Sequence, residues 1–551
     1  MSSALKPHNP DAGVNKAVIF LFLFLLSFVW GISFSNAPQL EKALNNKAII
    51  TCLMLFFITL FVLYTAVSDS NKQKNRLAAV EDFFEAYQWL LITLLSVSYA
   101  FIMSIVSLLK HQAFETHTFD LAIFDQAIWS ITKSRFLFSS IKGNICLLGD
   151  HMSPVLVLFA PLYWIWNDAG VLLVTQATIT AFCFFPLALI AQEKLGKGIF
   201  PVFFSLALYF YQPLRHSVRA EFHPELLANP ILFFAFYFLL KGKIKLFLSM
   251  LIAVVLCKEN MYGIVFAFGL YLLLNKRFKM GLLLATISMV LFYLTTHTFI
   301  PLMNGAHYAY ISNYNYLFTG KWGNHLPLIV QPLGVLEYLY KIFLPLGFLS
   351  FLHPPTLLLA LPVLFQNMLS RSPSMHSIAF QYTAGLTPGV FISAIFGTTV
   401  LLRFFNGNRY EKLLRIGMLG AMIMLSVALA GRPERHYFFK YKTSLKEEHK
   451  RLVKKAIRQI PERFSVIANE NLGPHMSHRF QVNQFEDYQR MPEGSTYSLV
   501  SDLVILDREL TAKDINSEVK KVQDSGYKIV YQVDGFYIFQ RNDLQETIKI
   551  N

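Results

Sequence analysis

Apolar runs long enough to bury a helix in lipid recur along most of this chain, separated by short loops that carry Lys and Arg. Such runs cannot be left in water. In lipid their backbone must be satisfied internally, which commits the chain to a bundle of membrane-spanning helices. Composition agrees: 54% of the 551 residues are hydrophobic and only 15% are charged, against about 25% charged in an ordinary soluble domain. The 52 Phe and 25 Tyr exclude a polar, disordered chain.

The net charge of +15 would point to nucleic acid on a soluble protein. Here the basic residues cluster between apolar runs, so they read as topology signals that touch anionic lipid, and no nucleic-acid partner is expected. Lys72, Lys74 and Arg76, then Lys194 and Lys197, then Lys241, Lys243 and Lys245, then Lys276, Arg277 and Lys279 mark cytoplasmic loops, as does the basic stretch from Arg403 to Arg415. The spans between them fall near 17–35, 48–67, 88–109, 169–192, 198–212, 226–240, 246–257, 261–274, 280–300, 387–402 and 416–431. Two shorter ones are expected within 341–369, turning at His353-Pro354-Pro355. The total is about 13, with the N-terminus inside and the C-terminus outside.

The polar start, Met1 to Lys16, is followed by an apolar stretch too long for a cleaved signal peptide. Of Cys52, Cys146, Cys183 and Cys257, three lie in apolar runs, which speaks against a disulfide framework. Residues 1–87 read as two N-terminal spans and a loop, 88–431 as the membrane core with a large external loop at 110–166, and 432–551 as a small soluble α/β domain outside the membrane. In that last domain a basic amphipathic helix is expected over 444–459 and another helix over 514–524, with strands at Ser465–Ala468 and Leu503–Leu506. A hairpin is expected where Tyr527–Gln532 and Phe536–Gln540 flank Asp534-Gly535. The fold class is therefore mainly α, a polytopic helix bundle with a C-terminal α/β domain.

Ionisable residues near membrane depth are costly and mark function. On this topology they gather on the outer side. Asp120 and Asp125 lie five residues apart on an expected short helix, so they diverge by about 140°. One can face a cavity as a general base while the other caps or pairs with a cation. Gln126 and Trp129 follow on the same segment. Asp150-His151 offers a metal or phosphate ligand pair, or a cap. Arg215-His216, Arg219, Glu221 and His223-Pro224-Glu225 suit a phosphate, a metal shared with Asp150-His151, or internal salt bridges. Lys258-Glu259-Asn260 is bounded by apolar residues: Lys258 can contact a lipid phosphate with Glu259 orienting it, or the two can neutralise each other. Tyr382 lies in a further aromatic segment, beside Gln381.

Phe119-Asp120-Leu-Ala-Ile-Phe-Asp125-Gln126-Ala-Ile-Trp129, Asp150-His151-Met-Ser-Pro154, Phe222-His223-Pro224-Glu225, Lys258-Glu259-Asn260, Gln381-Tyr382 and Asn471-Leu-Gly-Pro474-His475-Met-Ser-His478-Arg479 occur in that order. The set resembles domain-of-unknown-function family 2079 of bacterial and archaeal membrane proteins, over about residues 88–510. That family is grouped with the GT-C membrane glycosyltransferases, which take a sugar from a polyprenyl-phosphate donor on the outer face of the plasma membrane. The resemblance implies Asp120 as catalytic carboxylate with Asp125 second. It suggests a donor phosphate at Arg215, Arg219 and Lys258; Gln126, Trp129, His223, Glu225, Glu259 and Tyr382 are further candidate substrate contacts, and a divalent metal is a candidate cofactor at Asp150 and His151. Expected partners are a polyprenyl-phosphate-linked sugar, membrane lipids, and a glycan, lipid or protein acceptor. The sequence departs from the family at Phe119 (family Tyr), Ala122 (family Gly) and Asn260 (family acidic). Two other readings remain: a transporter or flippase for a lipid-linked sugar, and a non-catalytic membrane scaffold.

Overall fold

The computed structural model describes residues 70–321, 326–404, 420, 425–426, 429, 434–489, 499–510, 514–546, 548 and 550. The first two expected spans, and most of the one at 416–431, lie outside those residues. Four described helices are long and apolar enough to cross a membrane: Glu81–Gln112, Gly170–Leu195, Phe278–Asn304 and Leu386–Phe404. Shorter apolar helices run over Ile199–Phe210, Pro224–Leu240, Ile244–Val255 and Met261–Leu274, beside the irregular Pro154–Trp164.

The basic cluster Lys72, Lys74 and Arg76 is not a loop. It lies inside a helix of 43 residues, Ser70–Gln112, because Lys, Arg, Ala and Glu keep a helix going past the apolar run. Residues 341–369 form no continuous span. They break into Leu344–Leu346, Leu349–Leu352, Pro354–Leu357 and Leu361–Leu369. Pro345, Pro354 and Pro362 interrupt the ladder, and Gly347 and Phe348 both take φ of +57°. Irregular backbone of this kind persists at membrane depth only when protein covers it, and Leu344, Leu346, Leu349, Ser350 and Leu352 are all buried. The helices Met261–Leu274 and Phe278–Leu294 approach so closely that a Cβ on Gly269 would come within 2.7 Å of the Ala285 nitrogen.

After Gln112 the chain makes a π turn at Thr118–Ala122, a helix at Ile123–Thr132 and a small hairpin, Phe138–Ser139 with Ile145–Cys146. Pro154–Trp164 follows as 3-10 turns and leaves Trp164 and Ile165 exposed. The C-terminal part is a five-stranded sheet in the order Val482–Gln484, Val466–Ala468, Leu503–Asp507, Phe536–Arg541, Tyr527–Val533. The first three strands pair in parallel and the last two add antiparallel. Asp534 and Gly535 both take positive φ, the backbone of a tight two-residue hairpin turn. Helices Glu447–Arg458 and Ile515–Asp524 accompany the sheet.

The sheet is stitched to the segment after Gln112. Thr118 donates to the Glu470 carbonyl from its nitrogen at 3.0 Å and from its hydroxyl at 2.7 Å. Ser140 Oγ bonds both the nitrogen and the carbonyl of Val482. The His111 and His475 rings stack at 4.0 Å. Gly473 packs so tightly here that a Cβ would fall 1.9 Å from Thr118 Oγ1. Gly473→Ala should therefore push Thr118 off Glu470 and cost about 1–3 kcal/mol, the usual range for overpacking. A lowered melting temperature, with faster proteolysis between the sheet and the helices, checks this.

Candidate functional site

Lys110 ends the Glu81–Gln112 helix, and its ammonium lies 2.8 Å from Glu221 Oε1. Glu221 is buried and takes φ of +77°, a strained backbone for any residue but glycine. Buried Gln176 holds that turn by donating to the Glu221 carbonyl at 2.6 Å and accepting from the His223 nitrogen at 2.7 Å. The Glu221 carboxylate also meets His117 Nδ1 at 2.7 Å and accepts the backbone N–H groups of His117 and Leu121 at 3.0 and 3.2 Å. It thus caps the π turn that carries Asp120. Burial by itself would raise the Glu221 carboxyl, but Lys110 and His117 together outweigh it and hold the group at about 2.

Asp120 projects from this turn with 43% of its side chain exposed, and His223 Nε2 lies 3.4 Å from its Oδ1. His223 stands close to Glu225, whose carboxylate pairs with Lys258 at 2.9 Å. The Tyr382 hydroxyl feels the charges of Lys258, Glu225 and Asp120 together. Glu259 points the other way. It meets His151 Nδ1 at 2.7 Å, the Tyr308 hydroxyl at 2.8 Å and the Met152 nitrogen at 3.0 Å. Tyr310 stacks on His151 and reaches Asp150, which pairs with Lys142 at 3.1 Å. Among the described residues, three buried polar atoms along this line have no hydrogen-bond partner: His223 Nδ1, Glu225 Oε2 and Asn260 Oδ1. Buried polar groups are ordinarily paired, and orphans collected along one line are what a polar ligand would satisfy.

Ligand atoms of His117, Asp120 and Glu221 lie within 4.8 Å of one another, the one such trio among the described residues. It does not fit a divalent ion well. Both Glu221 oxygens are engaged, and the Lys110 ammonium already supplies the positive charge. Asp150 and His151 do not converge on a common point with other free ligands either, since Lys142 and Tyr310 hold one and Glu259 the other.

Other expected site residues are placed elsewhere. Asp125 is fully buried and bonded to Tyr163, Ser477 and, at 3.1 Å, His478. Burial pushes its carboxyl up, yet His478 and the two hydroxyls prevail and hold it below its usual value. Against its own burial, His478 is raised in turn. Asp125 is therefore a tie between the loop and the Asn471–Arg479 segment. Gln126 is spent on Ser140 and the Arg479 carbonyl, and Trp129 is buried against His478 and Phe480. Arg215 and Arg219 converge on one Glu434 oxygen at 2.8 and 2.6 Å, and the Arg219 guanidinium covers Tyr437. Glu434 carries no motif around it, so the sequence offered no sign of this pairing. His117, from the polar segment that carries Asp120, and Tyr308, from the aromatic loop after residue 300, join the line. Lys110 joins it too, and its only signal in the sequence was a basic residue at the end of an apolar run.

Helices of spanning length, with one continuous polar line at their ends, define a helical membrane protein with a built polar site. Residues 110–538 match the model of the predicted membrane protein family DUF2079, and the chain belongs to that family. The match starts later than residue 88 and continues through most of the C-terminal sheet, past residue 510. No curated protein matches the sequence. Among solved structures, the crystal structure of ArnT from Cupriavidus metallidurans in the apo state is similar at 10% identity and a TM-score of 0.49, over 82% of this chain and 98% of that one.

Proposed function

We propose that the protein is a membrane glycosyltransferase of the GT-C kind, moving a sugar from a polyprenyl-phosphate donor to an acceptor hydroxyl on the extracytoplasmic face. The observation that carries this reading is Asp120. It is the accessible carboxylate on a line whose other acids, Glu221, Glu225 and Glu259, are buried and ion-paired. A capped turn fixes its backbone and leaves its oxygens free to take a proton. The ordered motifs point the same way through their resemblance to family 2079. The topology belongs to this reading: about 13 spans, with 341–369 crossing as short broken segments, the N-terminus inside and the C-terminal sheet outside.

In the proposed step the acceptor oxygen attacks the anomeric carbon while its proton passes to Asp120. The bond from that carbon to the donor phosphate oxygen breaks, and the polyprenyl phosphate leaves with the bonding pair. A single in-line displacement inverts the anomeric centre. In this reading Lys258, held by Glu225, meets the departing phosphate. His223, 3.4 Å from Asp120, orients the base.

Native mass spectrometry of the protein from gentle detergent tests the donor site directly. A polyprenyl phosphate, or its sugar adduct, should stay with the wild type and be lost from Lys258→Gln. Lys258→Arg keeps the charge and should retain the lipid. In a transfer assay, Lys258→Gln should lower kcat/KM for the donor by about 10- to 100-fold, the loss of one charge-assisted hydrogen bond. Equal lipid retention by wild type and Lys258→Gln would remove Lys258 from the donor site.

A further inference from the structure

A second polar feature lies apart from the Asp120 line. The Glu434–Thr443 helix packs on the last turns of Glu81–Gln112, where Val106, Ala113 and Tyr441 form a small core of their own. The basic helix Glu447–Arg458 then comes in beside them. Between the three is a cleft of 240 Å³. Leu109, Phe438 and Tyr441 give it an apolar wall, and Lys442, Lys450 and Lys454 bring ammonium groups to it.

These charges are poorly matched. Glu447 also lines the cleft and pairs with Lys450 at 2.6 Å, so a single carboxylate, 77% exposed, stands against three ammonium groups. Lys442 and Lys454 have no carboxylate within ion-pair distance among the described residues, and the Lys454 ammonium stands over the Phe114 ring, 5.9 Å to its centroid. Burial first, and then the neighbouring Lys450 charge, hold the Lys454 ammonium below its usual range, which a bound anion would relieve. The same helix continues outward as a basic face with Arg451, Lys455 and Arg458.

The cleft sits at the end of a helix long enough to cross the bilayer, so it stands at headgroup level. An apolar wall beside unmatched ammonium groups at that depth is the chemistry of a lipid phosphate site. We infer that the cleft binds the headgroup of an anionic phospholipid, with Lys442 and Lys454 on the phosphate and Leu109, Phe438 and Tyr441 against the glycerol and acyl ends. A lipid held there would clamp the connector helix Glu434–Thr443 to the membrane helix and steady the base of the C-terminal sheet. This holds whichever reaction the Asp120 line performs.

The test uses the full-length protein in gentle detergent, titrated with phosphatidylglycerol or phosphatidylcholine and followed by native mass spectrometry. The wild type should keep one phosphatidylglycerol more tightly than any phosphatidylcholine. Lys442→Gln with Lys454→Gln should weaken that adduct about tenfold, while Lys442→Arg with Lys454→Arg retains it. Lys520→Gln with Lys521→Gln, on the far helix of the sheet domain, should change nothing. Soluble glycerol phosphate should not displace the lipid at equal concentration. Unchanged phosphatidylglycerol retention in the Gln pair overturns the proposal, as does equal retention of phosphatidylcholine. Displacement by glycerol phosphate would make it a soluble-phosphate site and overturn it too.

Discussion

Asp120→Asn should leave the protein folded and reduce sugar transfer by about 10²- to 10⁴-fold, the span a general base contributes. The substitution keeps the size of the side chain and removes its charge and its ability to take a proton. Asp120 is 43% exposed and its side chain meets the His223 ring at 3.4 Å, so little of the fold depends on it. The turn beneath it is held by Glu221 and not by Asp120 itself. Thermal melting of the variant should therefore match the wild type, and lipid retention measured by native mass spectrometry should persist because Lys258 and Glu225 are untouched. That combination, donor bound and transfer lost, separates a missing base from a missing site. Transfer at wild-type rate in the well-folded Asn variant would remove Asp120 as the base. A scaffold would show neither transfer nor any dependence on this residue.

The sequence made the fold legible wherever periodicity was strong. The hairpin around Asp534-Gly535 and the helices at Glu447–Arg458 and Ile515–Asp524 stand within a few residues of their expected bounds. The short strand Val482–Gln484 was not foreseen, because three residues with Asn in the middle carry no alternation to read. Among the site residues, the five-residue spacing of Asp120 and Asp125 was informative. It required them to diverge, and one is exposed while the other is wholly buried against His478. What spacing could not say is which partners each charge would choose. Arg215 and Arg219 suited a phosphate or internal salt bridges equally, and Glu434, more than two hundred residues away in the chain, pairs with both. Gln126 and Trp129 belong to a motif that looks catalytic in sequence and serves in space to fasten the loop to Arg479, His478 and Phe480. Long-range ion pairs between segments leave no local pattern, so a cluster of charge at a span end reads the same whether it awaits a ligand or another part of the chain.

Glu221→Gln should be the most damaging single change at the site, acting on stability and activity together. Gln keeps an acceptor for the His117 and Leu121 N–H groups but no charge for Lys110, whose side chain is only 13% exposed. An ammonium left uncompensated at that burial costs about 3–5 kcal/mol. The pH dependence carries the same signature. The Glu221 carboxyl is depressed from 4.5 to about 2 in the folded protein. Its contribution is complete above the unfolded value of 4.5 and is lost as pH falls toward 2. Over that interval it amounts to roughly 3 kcal/mol. His117 is raised by its hydrogen bond to Glu221, so its share is present below its ordinary value of 6.5 and fades as pH rises through the folded one. The pair therefore stabilises most between about pH 4.5 and 6.5, and melting measured from pH 3 to 8 should show an acid limb that the Gln variant lacks. Activity should fall through kcat, with donor KM little changed, because Glu221 holds the turn beneath Asp120 and touches neither the donor nor Lys258. A purely structural glutamate would lower the amount of folded enzyme and leave kcat per folded molecule alone. Were the acid limb to survive in Glu221→Gln with kcat intact, the carboxylate would have no part in setting the position of the base.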